Sequence, residues 1–407
     1  MSRPSQLYLL SRWEQIVACN LPNLSSCQVH VLAMWTLGAT LLEACLLNQV
    51  TQLWAEMLHK SPNTVRQQLR EFYCPAQRKN GRQRKEIDVT LCFAPLLRWV
   101  LSLWHGDRLF LALDATTLED RFAVLAVCVI WGKCAIPVAW KILPGNKKKA
   151  WKGEWLKLLP LLKSAVPETM TTVVAADRGL WAPWLYQAIR EQGWHPFLRI
   201  NTNGTFKPEG GNEFKSLSIL CPKGSAQAYI GTAFKSIRLN CTLLTEWKAG
   251  YKDPWLILTD LPPSSANVSW YRYRCWIEQC FKVLKSAGWQ WESSKITECD
   301  RAERMWLVMA VSTLWTLSLG TTEEEIARFD SEWNLEDEMA CHPSNRLPFV
   351  RSFRLGRIKV LANLLTKWEI QFGELYPTYW EPTPAEQVAR EEKARKKSAE
   401  KAPKAKT

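Results

Sequence analysis

The stretch YRYRCWIEQCFKVLKSAGW, residues 271–289, reads as an amphipathic helix with two unlike edges. At about 100° per residue, Tyr271, Arg274, Glu278 and Lys285 fall within roughly 60° of one another. Trp270, Ile277, Phe281 and Leu284 form a separate apolar stripe beside them. Glutamate and basic residues at helical spacing commonly pair on exposed helices, each pair contributing about 0.2–0.5 kcal/mol. The stretch alone therefore leaves surface pairing and a chemical site both open.

Upstream of it, PWLILTDLP (254–262) is an apolar run of strand length that delivers the chain to the helix. Residues 202–253 carry glycines and short alternating segments such as SIRLNCTLLTEW (236–247), the texture of an inserted β-rich subdomain. Before that insertion the order is strand (WHPFLRIN, 194–201), helix (APWLYQAIREQG, 182–193), strand (TTVVAADRG, 171–179) and helix (WKGEWLKLLPLLKSAV, 151–166), the last with a kink expected at Pro160. Three apolar, β-rich runs come first: RLFLALDATT (108–117), FAVLAVCVIWG (122–132) and CAIPVAWKILPG (134–145). Brief turn signals between them predict antiparallel strands of a buried sheet.

Several function classes fall away on composition. With 407 residues the chain can bury a sizeable core in two or three domains. Fifty-three Lys and Arg against 39 Asp and Glu leave a net charge of +14, which favours polyanionic partners. The first residues, MSRPSQLYLLSRWEQ, lack the apolar core of a signal peptide, so the 13 cysteines are expected as reduced thiols rather than a disulfide framework. MWLVMAVSTLWTLSLGTT (305–322) reads as a buried helix, since several Ser and Thr interrupt it. There is no Cys-x-x-Cys pair and the five histidines are scattered, which argues against structural zinc. Neither a Walker-type glycine loop nor a G-x-S-x-G elbow is present.

Nearer the N-terminus, Val50, Leu53, Trp54, Met57 and Leu58 stand at helix spacing, and SPNTVRQQLREFY (61–73) predicts a second helix with Ser61 as N-cap and Pro62 in its first turn. Val65, Leu69 and Phe72 would face inward, and Arg66, Gln67 and Arg70 outward. Two helices joined by His59-Lys60 fit a helix-turn-helix, or two packing helices that never touch DNA. A basic segment follows in which Arg78, Lys79, Arg82, Arg84 and Lys85 crowd together, either solvated or laid along phosphates. After residue 320 come an acidic stretch, TEEEIARFDSEWNLEDE (322–338), and a helix around GRIKVLANLLTKWEIQF (356–372). From about residue 381 the lack of any apolar face predicts a disordered basic tail.

Two of the apolar strands carry an aspartate where the apolar run stops, Asp114 in LALDATT and Asp177 in AADRG, and Glu278 follows a third. Each aspartate alone reads as a turn cap or a cation ligand, since burying an unpaired carboxylate is costly. Three together repel unless a divalent ion sits among them. Mg2+ suits them, because it accepts one or two carboxylates and completes its shell with water and phosphate oxygens. Two such ions about 4 Å apart can activate a water or 3′-hydroxyl and stabilise the leaving oxygen of an in-line phosphoryl transfer.

This order of strands, helices and acids resembles the RNase H-like core of DDE transposases of bacterial insertion sequences. Tyr271-x2-Arg274-x3-Glu278-x6-Lys285 matches the Y-R-E-K signature of their insertion-sequence-four branch at every spacing. The resemblance covers roughly residues 105–320 and implies an α/β fold: an RNase H-like mixed sheet flanked by helices, with the β-rich insertion at 202–253 and helical N- and C-terminal regions. With the flanking segments read from the residues themselves, since no motif of the family matches them, the division is a helical DNA-binding region at 1–73 (a candidate helix-turn-helix at 50–73), a basic linker and helix at 74–104, the catalytic domain at 105–320, a helical region at 321–380 and the tail at 381–407. The resemblance implies Asp114, Asp177 and Glu278 as catalytic metal ligands for two Mg2+ ions, with Mn2+ able to substitute. Tyr271, Arg274, Lys285, Arg178 and Trp255 become DNA-binding candidates, Trp255 either as a platform for an extruded base or as a core residue. Implied partners are the terminal inverted repeats of the chain's own element and target DNA, in a cytoplasmic homodimeric complex with no membrane. Two rival functions stay open, a catalytically silent DNA-binding protein and an RNase H-like nuclease without strand transfer. Three repelling acids in one cleft are of no use to a pure binder.

Overall fold

In the computed structural model, residues 6–79, 85–146, 151–320, 351–376 and 380–401 are described. They belong to two units, Met1–Thr172 with Cys275–Thr378, and Val173–Arg274 with Tyr379–Thr407.

The first unit opens with four helices, α1 (Gln6–Asn20), α2 (Ser26–Leu42), α3 (Leu47–Leu58) and α4 (Pro62–Tyr73). His59 takes a left-handed conformation (φ 50°) that ends α3, and Ser61 accepts the Thr64 N–H at 3.3 Å to start α4, as its sequence predicts. Val65, Leu69 and Phe72 are buried and Gln67 and Arg70 exposed, while Arg66 is half-buried rather than outward. The basic segment departs from expectation at Lys79. Its ammonium is turned inward onto the Lys85 carbonyl at 2.6 Å, and burial lowers its pKa, so it is not set out for phosphates. Arg82 and Arg84 lie outside the described residues.

After α5 (Thr90–Ser102), strands β1 (Arg108–Leu118), β2 (Phe122–Trp131) and β3 (Cys134–Pro144) form an antiparallel meander. All ten residues of β2 are buried, which is why it reads as an unbroken apolar run. Pro137 meets Cys128 where the β2–β3 register shifts, a bulge that tolerates the missing N–H. Helix α6 (Lys152–Lys163) carries Pro160 within it. Among the described residues, helices α9 (Trp276–Lys282), α10 (Cys299–Gly320) and α11 (Arg351–Thr366) follow in this unit.

Helix α10 is its buried axis, and its hydroxyls find partners there: Ser318 donates to the Trp315 carbonyl at 2.9 Å, and Thr313 accepts Trp289 Nε1–H at 2.8 Å. Ser312 donates to the Thr36 carbonyl at 3.4 Å, while the buried Thr316 Oγ1 has no hydrogen-bond partner, so the polar groups that set this run apart from a membrane span are satisfied in most but not all cases. Among the described residues no single helix is long and apolar enough to cross a membrane; only the bent pair α2 and α3 has that length and composition together. Helix α11 lies so close to α10 that a Cβ at Gly356 would stand 1.8 Å from the Thr316 carbonyl oxygen. At its N-terminal end α10 holds two buried charges. The Arg304 guanidinium donates to the Ile87 and Tyr73 carbonyls at 3.0 and 2.8 Å, and Glu303 pairs with Lys141 at 2.8 Å.

The second unit is built on a seven-stranded run in the order β4 (Thr171–Ala176), β5 (His195–Arg199), β10 (Trp255–Thr259), β9 (Leu239–Glu246), β8 (Ala226–Ala233), β6 (Thr205–Pro208) and β7 (Lys215–Ser216). Strands β4 and β5 are parallel, joined through α7 (Pro183–Glu191), and the other pairings are antiparallel. The expected insertion appears as β6 to β9 with the short α8 (Leu217–Leu220).

The C-terminal expectations need correction. Residues Pro384–Lys401 form a helix, α12, not a disordered tail. A reciprocal cap starts it: the Thr383 N–H donates to Glu386 Oε2 at 2.8 Å and the Glu386 N–H to Thr383 Oγ1 at 3.2 Å. Its Ala, Glu, Lys and Arg are strong helix formers, so it forms without the apolar face that would have announced it. Helix α11 stops at Thr366, short of residue 372, and Trp368 turns the chain with a φ of 54°. The acidic stretch 322–338 lies outside the described residues. Eleven of the described cysteines are free thiols, as expected, whereas Cys275 is disulfide-bonded.

Candidate active site

The stretch that reads as one amphipathic α-helix has three helical types. Val268–Cys275 is 3₁₀, Trp276–Lys282 is α, and Val283–Ala287 is a π-turn. A single 100° wheel therefore does not describe it. The π-turn ends at Gly288, where a Cβ would stand 2.7 Å from the Phe353 ring, and Trp289 is anchored on Thr313. A chain fixed at its end by such packing absorbs one residue as a wide turn, and these turns recur at functional sites. The expected apolar stripe is real, since Trp270, Ile277, Phe281 and Leu284 are all buried.

In the first unit β1 is buried from Leu109 to Leu113 and becomes half-exposed at Asp114. The strand continues to Leu118, so the aspartate marks the end of the apolar run, not of the strand. Its Oδ1 accepts the Ala115 N–H at 2.8 Å. Two residues on, Thr116 Oγ1 accepts a hydrogen bond from Lys285 Nζ at 2.6 Å. Burial lowers the Lys285 pKa from the ordinary lysine value, and the carboxylates of Glu292 and Asp114 oppose that shift without cancelling it. Glu278 is half-buried in the first turn of α9, which continues the 3₁₀ segment and packs on the meander.

In the second unit Asp177 stands just beyond β4, as its sequence predicts. Its Oδ1 accepts the N–H groups of Gly179 and Leu180 at 2.9 and 3.2 Å, and Arg274 approaches its Oδ2 at 3.5 Å. Arg274 is buried, so its attraction for an anion is less screened than that of a surface arginine. Arg178 is paired with Asp253 at 3.1 Å. Trp255, half-buried at the head of β10, meets Tyr271 edge-on at 5.5 Å and Tyr251 at 6.2 Å, with Lys248 over its ring at 5.8 Å. Arg199 lies 6.0 Å from the Tyr271 ring centre.

The sequence reading overlooked Thr116, Arg199, Lys248 and Tyr251. Only Thr116 left a local trace, two residues after Asp114 in LDATT. Among the described residues no three His, Cys, Asp or Glu side chains are gathered closely enough to cage a metal. The expected triad of Asp114, Asp177 and Glu278 is accordingly not among such clusters; each of the three carries the hard oxygen donors that Mg2+ accepts, one or two carboxylates at a time.

A mixed sheet flanked by helices, with acids where apolar runs end and buried basic groups beside them, belongs to the RNase H-like class of α/β fold. Residues 155–315 match the family model of the transposase DDE domain, which supports a DDE transposase. The match takes in Asp177, Arg178, Trp255, Tyr271, Arg274, Glu278 and Lys285, covers less than half of the chain and begins after Asp114. No curated protein matches the chain at a significant level.

Proposed function

We propose that this chain is a cut-and-paste DNA transposase of the insertion-sequence-four branch, which nicks the ends of its own element and joins them to target DNA. The observation that carries the reading is Asp177: fixed at a strand exit by two backbone N–H groups and faced by the buried Arg274 of the signature, it lies inside the matched region.

Asp114, Asp177 and Glu278 would hold Mg2+. An ion held by these carboxylates would supply a lowered pKa for the attacking water or 3′-hydroxyl and charge stabilisation for the leaving oxygen. Arg274 and Lys285 bind the phosphates that flank the scissile bond, and their burial strengthens that attraction by excluding water. Tyr271 packs against Trp255, whose partly open ring offers a stacking surface for a base from the element's end. Helices α3 and α4 present Gln67 and Arg70 to a major groove. The protein works in the bacterial cytoplasm as a homodimer on DNA, and Mn2+ replaces Mg2+.

The test incubates the purified protein with a fragment ending in the inverted repeat that flanks its gene, with Mg2+ or with EDTA. Glu278→Gln and Asp114→Asn should keep end binding and lose Mg2+-dependent nicking. Nicking retained by either variant refutes the assignment. Strand-transfer products on a plasmid separate the transposase from a plain nuclease, and failure of the unaltered protein to nick favours the silent DNA binder.

A further inference from the structure

The 3₁₀ segment Val268–Cys275 has three residues per turn, so side chains three apart lie one above the other. Trp270 and Tyr273 share one edge, and Tyr271 and Arg274 share the next. The second edge is the one already described, with Tyr271 against Trp255 and Arg274 against Asp177. The first edge is occupied by the chain's own C-terminal segment. Trp270 Nε1–H donates to the Glu381 carbonyl at 2.8 Å, and its ring meets Trp380 edge-on at 4.7 Å. The Tyr273 hydroxyl donates to Glu381 Oε2 at 3.1 Å, and the Arg272 guanidinium pairs with Glu381 Oε1. Asn267 Nδ2–H donates to the Pro382 carbonyl at 3.0 Å. Burial, then the Glu381 charge, raises the Tyr273 pKa, which keeps that phenol a donor.

We infer that residues 380–383 are a clamp that positions the DNA-gripping residues, with Glu381 as its key positioning residue. A short 3₁₀ segment has poorer hydrogen-bond geometry than an α-helix and is held mainly by its surroundings. Glu381 ties two successive residues of the segment, Arg272 and Tyr273, through opposite oxygens of one carboxylate. Fixing that edge fixes the rotation of the segment, and hence where Tyr271 and Arg274 stand. Beyond the clamp, α12 is exposed from Gln387 to Lys396 and also touches the turn at Pro263–Ser265; the hydrogen bonds and ring contact that reach the 3₁₀ segment itself, and Asn267 just before it, come from residues 380–383. The inference rests on the functional reading above for what Tyr271 and Arg274 grip, and on geometry alone for how they are held.

The test uses full-length Glu381→Arg, Arg272→Glu and the double swap. Two measurements are made on each: hydrogen exchange of residues 268–275, and the single-turnover rate of Mg2+-dependent nicking at saturating end DNA. Glu381→Arg should speed exchange in 268–275 but not in the meander, and slow nicking by about tenfold to a hundredfold, the scale expected when binding groups shift by about 1 Å. Its end affinity should change far less than its nicking rate. The double swap restores the ion pair in reverse and should bring both readouts back toward those of the unaltered protein. Unchanged exchange in Glu381→Arg overturns the clamp, whatever the nicking shows. So does a double swap as loose and slow as the single variants. If the unaltered protein does not nick at all, the functional reading fails and exchange alone decides the clamp.

Discussion

Asp177 allows charge and shape to be separated in one position. Its Oδ1 closes the turn after β4 by accepting the Gly179 and Leu180 N–H groups at 2.9 and 3.2 Å, while Oδ2 carries the approach of Arg274 at 3.5 Å. Asp177→Asn keeps an Oδ1 acceptor and so keeps the turn. The change weakens one ion pair whose carboxylate is 37% exposed, worth less than about 1 kcal/mol in that setting. Asp177→Ala removes both acceptor contacts at once. Each contributes about 1 kcal/mol net, and at this exposure water replaces part of the loss, so about 1–2 kcal/mol is expected. Stability should therefore run unaltered, then Asn, then Ala, with the first step the smaller.

Nicking should not follow that order. If the carboxylate charge holds Mg2+, Asn and Ala both lose it, and a loss of about a thousandfold corresponds to about 4 kcal/mol of transition-state stabilisation. The assays are thermal melting, end binding in EDTA, and single-turnover nicking in Mg2+. A readout independent of activity replaces Mg2+ with Fe2+ and ascorbate, when radical cleavage of the backbone near Asp177 should appear in the unaltered protein and vanish in both variants. Asn nicking within about tenfold of the unaltered protein would show that the charge is not a ligand. An Asn variant as unstable as Ala would show that the turn depends on the charge.

Three further outcomes follow from the buried basic groups. Lysine is charged below its pKa, and burial lowers that of Lys285, so the phosphate grip should fade as pH rises at a value under the ordinary lysine 10.5; Lys285→Arg should move this alkaline limb of the nicking profile upward, and an unmoved limb would remove Lys285 from the grip. The same shift means the folded state disfavours the charged form, so stability is lower below the folded pKa and recovers toward pH 10.5; Lys285→Met should melt no lower than the unaltered protein at neutral pH. Arg304→Met strands the carbonyls of Ile87 and Tyr73 and should cost about 2–4 kcal/mol, read as a lower melting temperature with no direct effect on metal affinity.

What could be read in the sequence was whatever neighbouring residues decide. The strands were legible because buried strands are short apolar runs bounded by turn residues, and β2, buried along its whole length, is the extreme case. Asp177 was legible for the same reason, as the first polar residue after such a run. Thr116 was not, because its value lies in Lys285, 169 residues away. The C-terminal helix was not, because its attachment runs through residues 380–383 and its helical length has no apolar face to betray it. Lys79 misled for the opposite reason: in a basic run it reads as solvated, but a carbonyl six residues on draws its ammonium inside.

The Tyr271–Lys285 stretch shows where a fixed helical wheel breaks down. At 3.6 residues per turn an interval of three leaves two side chains about 60° apart, whereas at 3.0 they eclipse. Tyr271 and Arg274 are in the second situation, so they present one edge together, one to the Trp255 ring and the other to the Asp177 carboxylate. Glu278 and Lys285 are separated by a stretch that changes from α to π, which brings Lys285 to Thr116 rather than to the place an ideal helix would give it. The placement of Tyr271, Arg274, Glu278 and Lys285 therefore depends on how each segment is anchored, and not on a single helix repeat. Gly288→Ala, whose Cβ would stand 2.7 Å from the Phe353 ring, should shift the π-turn and draw Lys285 away from Thr116, read as slower single-turnover nicking; nicking at the unaltered rate would show that the packing at Gly288 does not set the place of Lys285.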